Sequence, residues 1–116
     1  MYLIVYDSRS GKGKKFAEKL SSGARSVADG ADGDCILITR NEGLGKISKA
    51  TKTFLKSYSG FVKGVVVNGD KRFGRFFCAA GLKIEKEYGI KVIRNIEGEG
   101  TEADAAFVKA FLENEG

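Results

Sequence analysis

Residues 5–16 read VYDSRSGKGKKF, and the composition changes abruptly within this stretch. The end of an apolar, β-rich run gives way to nine polar, glycine or charged residues, and Phe16 then begins a new apolar pattern. A connection between a strand and a helix normally has about two to six residues and rarely combines glycines, hydroxyls and cations. The stretch therefore predicts a strand that ends in a specialised loop, followed by a helix.

The residue types in this loop are those that bind a phosphate group. A helix N-terminus offers unpaired backbone amides and a partial positive charge, and glycines let the backbone approach a ligand closely. Serine hydroxyls can donate to phosphate oxygens, and basic side chains add charge. We therefore predict a phosphate-binding loop made of Ser8, Arg9, Ser10, Gly11, Lys12 and Gly13. A capped, solvated turn is the alternative.

Five short apolar runs alternate with helical patterns along the chain. The runs are residues 2–6, 24–28, 35–39, 61–67 and 91–96. Apolar residues at three-to-four spacing elsewhere predict helices, and strands alternating with helices predict a doubly wound parallel sheet with helices on both faces. We predict a single α/β domain spanning residues 1–116. Residues 21–34 are too few for a strand, a helix and turns together, so they predict a short edge strand without a full helical crossover.

Three polar segments that contain glycine follow the first, third and fourth of the five predicted strands. Loop one is DSRSGKGK (7–14), loop two is TRNEGLGK (39–46) and loop three is NGDKRFGRFF (68–77). The carboxyl ends of parallel strands meet at one edge of a sheet, and ligands bind there where the strand order reverses. We therefore predict that the three loops form one ligand site.

The composition limits the chemistry that the chain can perform. The chain has no histidine, which excludes histidine triads and general bases and nearly all zinc sites, so we expect a bound cofactor to carry any chemistry near neutral pH. Cys35 and Cys78 lie far apart in apolar surroundings, which predicts buried thiols.

The net charge of +5 suits an anionic ligand, but the basic residues are spread along the chain, so we predict no nucleic-acid partner. No segment resembles an export signal or a membrane span, so we expect a soluble cytoplasmic protein without a membrane partner.

The motifs of three common α/β sites are incomplete in this sequence. Lys15 and Ile47 stand where the P-loop pattern G-x-x-x-x-G-K-[ST] needs a hydroxyl, and Phe16 stands where G-x-G-x-x-G needs its third glycine. A receiver domain would need paired carboxylates after the first strand, where Asp7 is alone. A monophosphate nucleotide with a flat ring remains, and we predict FMN.

The segments DSRSGKGKKF, LITRNEGLGKISKATKTFL and GVVVNGDKRFGRFFCAAGLKI, with EGEGTEADAAFV near the end, resemble the NrdI family in order and spacing. The resemblance runs from Tyr2 to about Leu112 and is most specific over residues 69–81. It implies a flavodoxin-like, doubly wound five-stranded parallel sheet with the strand order 2-1-3-4-5.

The resemblance also implies a function. Proteins of this family bind FMN, react with O2 and supply superoxide or peroxide for assembly of the dimanganese-tyrosyl radical cofactor of a class Ib ribonucleotide reductase small subunit. An electron donor would reload the flavin, and the free protein would be a monomer. We expect a redox partner of this kind, with no resident metal and no substrate turnover in the ordinary enzymatic sense.

The positions matching the family place two loops beside the flavin ring. The residues expected against the ring are Asn41, Glu42, Gly43, Leu44 and Gly45 in loop two. Those expected to form the other wall are Asn68, Gly69, Asp70, Phe73 and Gly74 in loop three, with Phe73 covering a ring face. Arg40, Lys71 or Arg72 would provide positive charge near flavin N1.

Four positions depart from the family pattern. Lys12 and Gly13 replace an asparagine and a threonine or valine of loop one, and Leu44 and Ser48 replace an aromatic residue and a proline of loop two. They imply weaker ring stacking and a more mobile loop two. Two alternatives therefore stay open: a general one-electron carrier of the flavodoxin type, which the basic charge disfavours, and a flavin-free interaction module on the same fold.

Overall fold

A computed structural model describes residues 2–115, and its strands and helices alternate as the sequence pattern predicts. In chain order they are β1 (Leu3–Tyr6), α1 (Lys12–Leu20), β2 (Arg25–Ser26), β3 (Cys35–Glu42), β4 (Lys46–Ile47), α2 (Lys49–Tyr58), β5 (Val62–Gly69), α3 (Ala79–Tyr88), β6 (Val92–Glu97) and α4 (Glu102–Glu115). Short 3-10 turns lie at Val27–Asp29, Ser59–Phe61 and Lys71–Phe76. Met1 and Gly116 lie outside the described residues, so the domain bounds 1–116 stay a prediction.

The central sheet is parallel, with the strand order β2–β1–β3–β5–β6. β4 lies outside this row. When only the five strands of the row are numbered in chain order, the strand order is 2-1-3-4-5, as the resemblance implies, and the predicted fold class is confirmed. The predicted edge strand is also present as β2. The connection from β2 to β3 spans residues 27–34 and contains a 3-10 turn but no α-helix, so it needs no full helical crossover.

The prediction of five strands misses the two-residue strand β4. It runs antiparallel to the end of β3, pairing Asn41 with Ile47 and Glu42 with Lys46. The pairing extends β3 three residues beyond the predicted end at Thr39. Apolar periodicity gives no sign of this extension because the added residues are polar, and the hairpin forms through backbone pairing near the pocket described below.

The core consists of two apolar layers, one on each face of the sheet. Ile36 of β3 packs with Phe16 of α1 and Val108 of α4 on one face, whereas its neighbour Leu37 packs with Leu55 of α2 on the other. Successive residues of a strand point to opposite faces, so an almost entirely apolar strand indicates a sheet covered on both sides. Full burial of a side chain of this size contributes about 1.5–3 kcal/mol. The two layers therefore fix the strand ends from which the polar loops project.

Both cysteines are free and buried, as the sequence predicts. Burial raises the pKa of Cys35 to about 11 and that of Cys78 to about 12.

In the described part of the chain, none of the helices combines the length and the apolar composition that a bilayer crossing requires.

Candidate ligand-binding site

A cavity of about 730 Å³ opens at the carboxyl ends of β1, β3, β5 and β6. This edge includes the junction of β1 and β3, where the strand order reverses, and the volume is in the range of small-molecule sites. Twelve of the sixteen predicted cofactor-binding residues line it: Ser8, Arg9, Ser10, Lys12, Gly13, Asn41, Glu42, Gly43, Asn68, Gly69, Asp70 and Phe73. The other four, Gly11, Leu44, Gly45 and Gly74, lie in the same loops but not on the pocket wall. The three loops thus come together as predicted, in what we call the pocket.

Loop one is closed by its own serines. The amide of Gly11 donates to Oγ of Ser8 at 3.0 Å, and the amide of Lys12 donates to Oγ of Ser10 at 3.4 Å. Gly11 adopts φ 89°, a conformation that side chains disfavour, and α1 begins at the next residue. Each serine oxygen therefore accepts a bond from the loop while its hydroxyl hydrogen stays available to donate to a ligand.

Positive charge at loop one is not neutralised locally. Arg9 and Lys12 are exposed on the pocket wall, and neither forms a salt bridge with any side chain that the structure describes. Hydrogen bonds from Arg72 lower the pKa of Asp70 to about 2, and the charge of Lys12 contributes to this shift. The electrostatic effect of loop one therefore extends to loop three, while Arg9 and Lys12 keep the charge that an anionic ligand needs.

Loop two forms the turn of the β3–β4 hairpin. Gly43 and Gly45 adopt φ values of 53° and 91°, and Leu44 between them is 60% exposed at the tip. A Cβ atom on Gly45 would lie 2.7 Å from Cβ of Ala79, whereas one on Gly43 would have no atom of the described residues within 4 Å, its chain neighbours apart. Gly45 therefore allows the hairpin to pack against α3, and Gly43 leaves open space beside the pocket.

Two predicted ring-contact residues use their side chains to join loops. Asn41 donates from Nδ2 to the carbonyl of Phe76 at 2.7 Å and accepts from the amide of Ala80 at 2.9 Å. Asn68 donates to the carbonyl of Gly98. Both line the pocket, but their carboxamides hold its walls together, a role that the sequence did not indicate.

Loop three supplies a partly exposed aromatic side chain. Phe73 lines the pocket and is 45% exposed, and it lies in the 3-10 turn after Asp70. Asp70 caps that turn through the amide of Arg72 and also pairs with the guanidinium of Arg72 at 2.6 Å. Of the three cations proposed for flavin N1, Arg40 and Arg72 line the pocket, whereas Nζ of Lys71 lies 5.9 Å from the ring centroid of Phe77.

Three pocket residues lie outside the predicted cofactor-binding set: Asp7, Glu97 and Gly98. Glu97 ends β6, and its carboxylate accepts a hydrogen bond from the amide of Lys71 at 2.9 Å, so the end of β6 supports loop three. The rule that selected the other loops applies equally to the residues after the last strand, and would have found Glu97 and Gly98. Asp7 is the first residue of loop one, but a single carboxylate at this position predicts no role of its own.

Comparison with known proteins agrees with this architecture. The family model described as NrdI flavodoxin-like matches residues 4–110. Protein NrdI of Deinococcus radiodurans is 32% identical over 117 residues, covering 97% of this chain and 83% of the relative. Protein NrdI of Bacillus licheniformis is 30% identical over 107 residues, covering 90% and 82%.

Solved flavodoxin structures share the fold. A short-chain flavodoxin associated with a non-canonical PDU bacterial microcompartment matches with a TM-score of 0.76 at 17% identity, covering 97% of this chain and 93% of that one. Oxidised flavodoxin 1 from Bacillus cereus matches with a TM-score of 0.68 at 14% identity, covering 95% and 92%. At these identities the likeness concerns the fold alone.

Proposed function

The chain belongs to the NrdI flavodoxin-like family, and from this premise we propose that it is an FMN-binding redox protein that activates a class Ib ribonucleotide reductase. In this proposal it supplies superoxide or peroxide for assembly of the dimanganese-tyrosyl radical cofactor in the small subunit. The observation that carries the proposal is the pocket, in which a basic, hydroxyl-bearing loop at a helix N-terminus faces two loops that could flank a ring.

The residues present fit FMN at the phosphate end. Ser8 and Ser10 keep hydroxyl hydrogens to donate, and the N-terminus of α1 adds backbone amides and a partial positive charge. Gly13 lies at this helix end, where an added Cβ would already contact Ser8 at 3.7 Å. Arg9 and Lys12 supply charge. These groups would hold a terminal phosphate, which is the role predicted for Ser8–Gly13.

The residues at the ring end also fit. Phe73 offers a partly exposed aromatic face, and Gly43 brings bare backbone to the pocket wall, with open space where a side chain would stand. The hydrogen bonds of Asn41 and Asn68 hold the opposing walls in place. The arginines at this end are paired, Arg40 with Glu42 and Arg72 with Asp70. Loops two and three would therefore enclose a flat ring between polar but largely neutralised groups.

When bound, FMN would supply the electron chemistry that reduces O2, and the protein residues would bind it, orient it and limit its contact with water. The reductase small subunit is proposed as the partner because the family implies it, and an electron donor must reload the cofactor. The exposed Leu44 at the hairpin tip gives the partner an apolar contact close to the pocket. We further propose that residues 1–116 act as one cytoplasmic, monomeric FMN-binding domain.

The first test is the absorption spectrum of the protein purified without added cofactor, then after incubation with FMN and desalting. Retained flavin bands are expected, and riboflavin, which lacks the phosphate, should be held less tightly. A protein that stays colourless after incubation with FMN would contradict the proposal and favour the flavin-free interaction module.

The second test separates the oxidant supplier from the one-electron carrier. The reduced protein is mixed with O2 in the presence of a manganese-loaded class Ib small subunit, and tyrosyl radical is measured by electron paramagnetic resonance. Radical that forms only with this protein present is expected. Absence of radical, together with widely separated one-electron potentials in a reductive titration, would favour the carrier instead.

A further inference from the structure

The carboxylate of Asp7 lies at the junction of loop one and loop two. Asp7 follows β1 directly and precedes the phosphate loop, yet it is only 7% exposed. A buried carboxylate requires partners because its removal from water is otherwise costly. The side-chain partners of Asp7 are Arg40 of loop two, Ser48, which precedes α2, and Thr51 of α2. The neighbouring Ser8, by contrast, bonds within loop one.

Both ends of the loop-two hairpin, residues 41–47, are attached to this one carboxylate. On the β3 side, Nε of Arg40 donates to Oδ1 of Asp7 at 3.4 Å. On the α2 side, the hydroxyl of Ser48 donates to Oδ2, and Ser48 also caps α2 by accepting the amide of Thr51 at 3.1 Å. The residues that immediately flank the hairpin are thus held at the same point.

A second hydroxyl, the third donor to this carboxylate, strengthens the attachment. Oγ1 of Thr51 donates to Oδ2 of Asp7 at 2.8 Å and lies 2.6 Å from Oγ1 of Thr39. Since the hydroxyl hydrogen of Thr51 is used on Asp7, Thr39 must be the donor in the second bond. The network therefore connects the end of β1 with β3 and α2: Ser48 and Thr51 donate to the carboxylate, and Thr39 donates to Thr51.

The guanidinium of Arg40 carries the connection into the hairpin itself. Its Nη1 donates to Oε2 of Glu42 at 2.9 Å, and both residues line the pocket. We infer that Asp7 is a positioning residue. By holding both ends of the hairpin, it fixes the pocket wall formed by loop two relative to loop one. The relevance of this role to flavin binding rests on the proposed function, but the attachment itself exists without any ligand.

The variant Asp7→Asn tests the inference, because an asparagine must turn its NH2 group toward at least one of the present donors. Asp104→Asn is a matched control: Asp104 is also a buried carboxylate, which accepts from Nε of Arg94 at 2.6 Å and from the amide of Thr101 at 2.8 Å, but it lies outside the pocket. Both substitutions remove one buried charge next to an arginine. Only the substitution at Asp7 should affect loop two.

The first readout is amide hydrogen exchange in the ligand-free protein. We expect Asp7→Asn to accelerate exchange in residues 41–47 by at least about tenfold relative to exchange in β5, since an unanchored hairpin opens locally. Asp104→Asn should leave this ratio unchanged. An unchanged ratio in Asp7→Asn would overturn the inference. If Asp7→Asn does not fold, Thr51→Val, which removes one donor and keeps the carboxylate, should raise the ratio about threefold, and an unchanged ratio would again overturn it.

The second readout uses FMN and riboflavin. Because loop one keeps its own hydrogen bonds, Asp7→Asn should weaken both flavins by the same factor and shift the midpoint potential of bound FMN, whereas Asp104→Asn should do neither. Loss of FMN affinity alone would mean that Asp7 acts on the phosphate loop, which would overturn the inference. If the unaltered protein binds neither flavin, the proposed function fails, and the exchange measurement still decides the role of Asp7.

Discussion

Asn41 of β3 and Ala80 of α3 are joined by a hydrogen bond of 2.9 Å from the amide of Ala80 to Oδ1 of Asn41. Nδ2 of the same side chain donates to the carbonyl of Phe76 at 2.7 Å. One carboxamide thus fastens the hairpin of loop two both to the end of loop three and to the first turn of α3. Removing it leaves two backbone groups without their partner.

Asn41→Ala is therefore expected to destabilise the fold by about 2 kcal/mol, since each lost hydrogen bond costs about 1 kcal/mol. The free energy of unfolding in urea measures this. Asn95→Ala, at an exposed position of β6, is the control and should stay within about 0.5 kcal/mol of the unaltered protein. Equal effects of the two substitutions would show that the Asn41 contacts contribute no stability.

Gly43→Ala and Gly45→Ala separate backbone strain from steric contact within one hairpin. Both positions have positive φ, which disfavours a side chain by about 1–2 kcal/mol. Only a Cβ at position 45 meets a neighbour, Cβ of Ala79 at 2.7 Å, so Gly45→Ala should lose about 1–3 kcal/mol more than Gly43→Ala. Urea unfolding of the two variants measures the difference. Equal losses would mean that the packing of the hairpin on α3 is loose enough to absorb a methyl group.

The acid dependence of stability should change in Asp104→Asn. Burial alone would raise the pKa of Asp104, but hydrogen bonds from Arg94 and Thr101 outweigh it and hold the pKa below its ordinary value. A depressed carboxyl pKa contributes stability that is present above the unfolded-state pKa of about 3.9 and is lost as pH falls below it.

Asp104→Asn should therefore be less stable than the unaltered protein by about 2 kcal/mol at pH 6, and the gap should narrow below about pH 4. Urea unfolding between pH 3 and pH 6 measures the gap. Asp32→Asn, which removes an exposed carboxylate 3.6 Å from Arg25, should have little effect at any pH. A gap that does not vary with pH would contradict the shift in pKa.

The thiols of Cys35 and Cys78 should react very slowly in the native protein. Their pKa values of about 11 and about 12 leave little thiolate at pH 8, and both side chains are buried. We expect reaction with Ellman's reagent to be at least about 100-fold slower than that of glutathione, and both thiols to react at once in guanidinium. Rapid reaction of one thiol in the native protein would mean that its surroundings open readily.

The fold was predictable because it depends on apolar periodicity. The runs around Ile36 and Val66 are apolar on both faces, and that pattern requires helices above and below the sheet. β4 and the last residues of β3 were not predictable in this way. They consist largely of polar residues, and their pairing depends on the left-handed turns at Gly43 and Gly45.

The location of the site was predictable for a related reason, since strand ends in a parallel sheet share one edge. The roles of individual polar side chains were not. Asparagine side chains often contact ligands, but those of Asn41 and Asn68 bond here to backbone groups that are distant in sequence. The separations are 30 residues for Asn68 and 35 and 39 residues for Asn41. Ser48, where the resemblance led us to expect a more mobile loop, caps α2 and binds Asp7. Such contacts depend on distances between elements, which a linear pattern does not contain.

The charge of Lys12 should distinguish FMN from riboflavin. Lys12 lies on the pocket wall without a salt bridge to the side chains described, so its charge is available to a phosphate. Lys12→Gln is expected to weaken FMN binding by about 3- to 10-fold, consistent with roughly 1 kcal/mol for an exposed charge pair, and to leave riboflavin binding unchanged. Lys19→Gln, on the same helix but outside the pocket, is the control.

Fluorescence titration of both flavins at low and high salt measures the effect of Lys12→Gln on binding. Because salt screens exposed charges, the loss should shrink as ionic strength rises. An equal loss for both flavins would mean that Lys12 contacts the ring or sugar end, and would require the phosphate to bind elsewhere in the pocket.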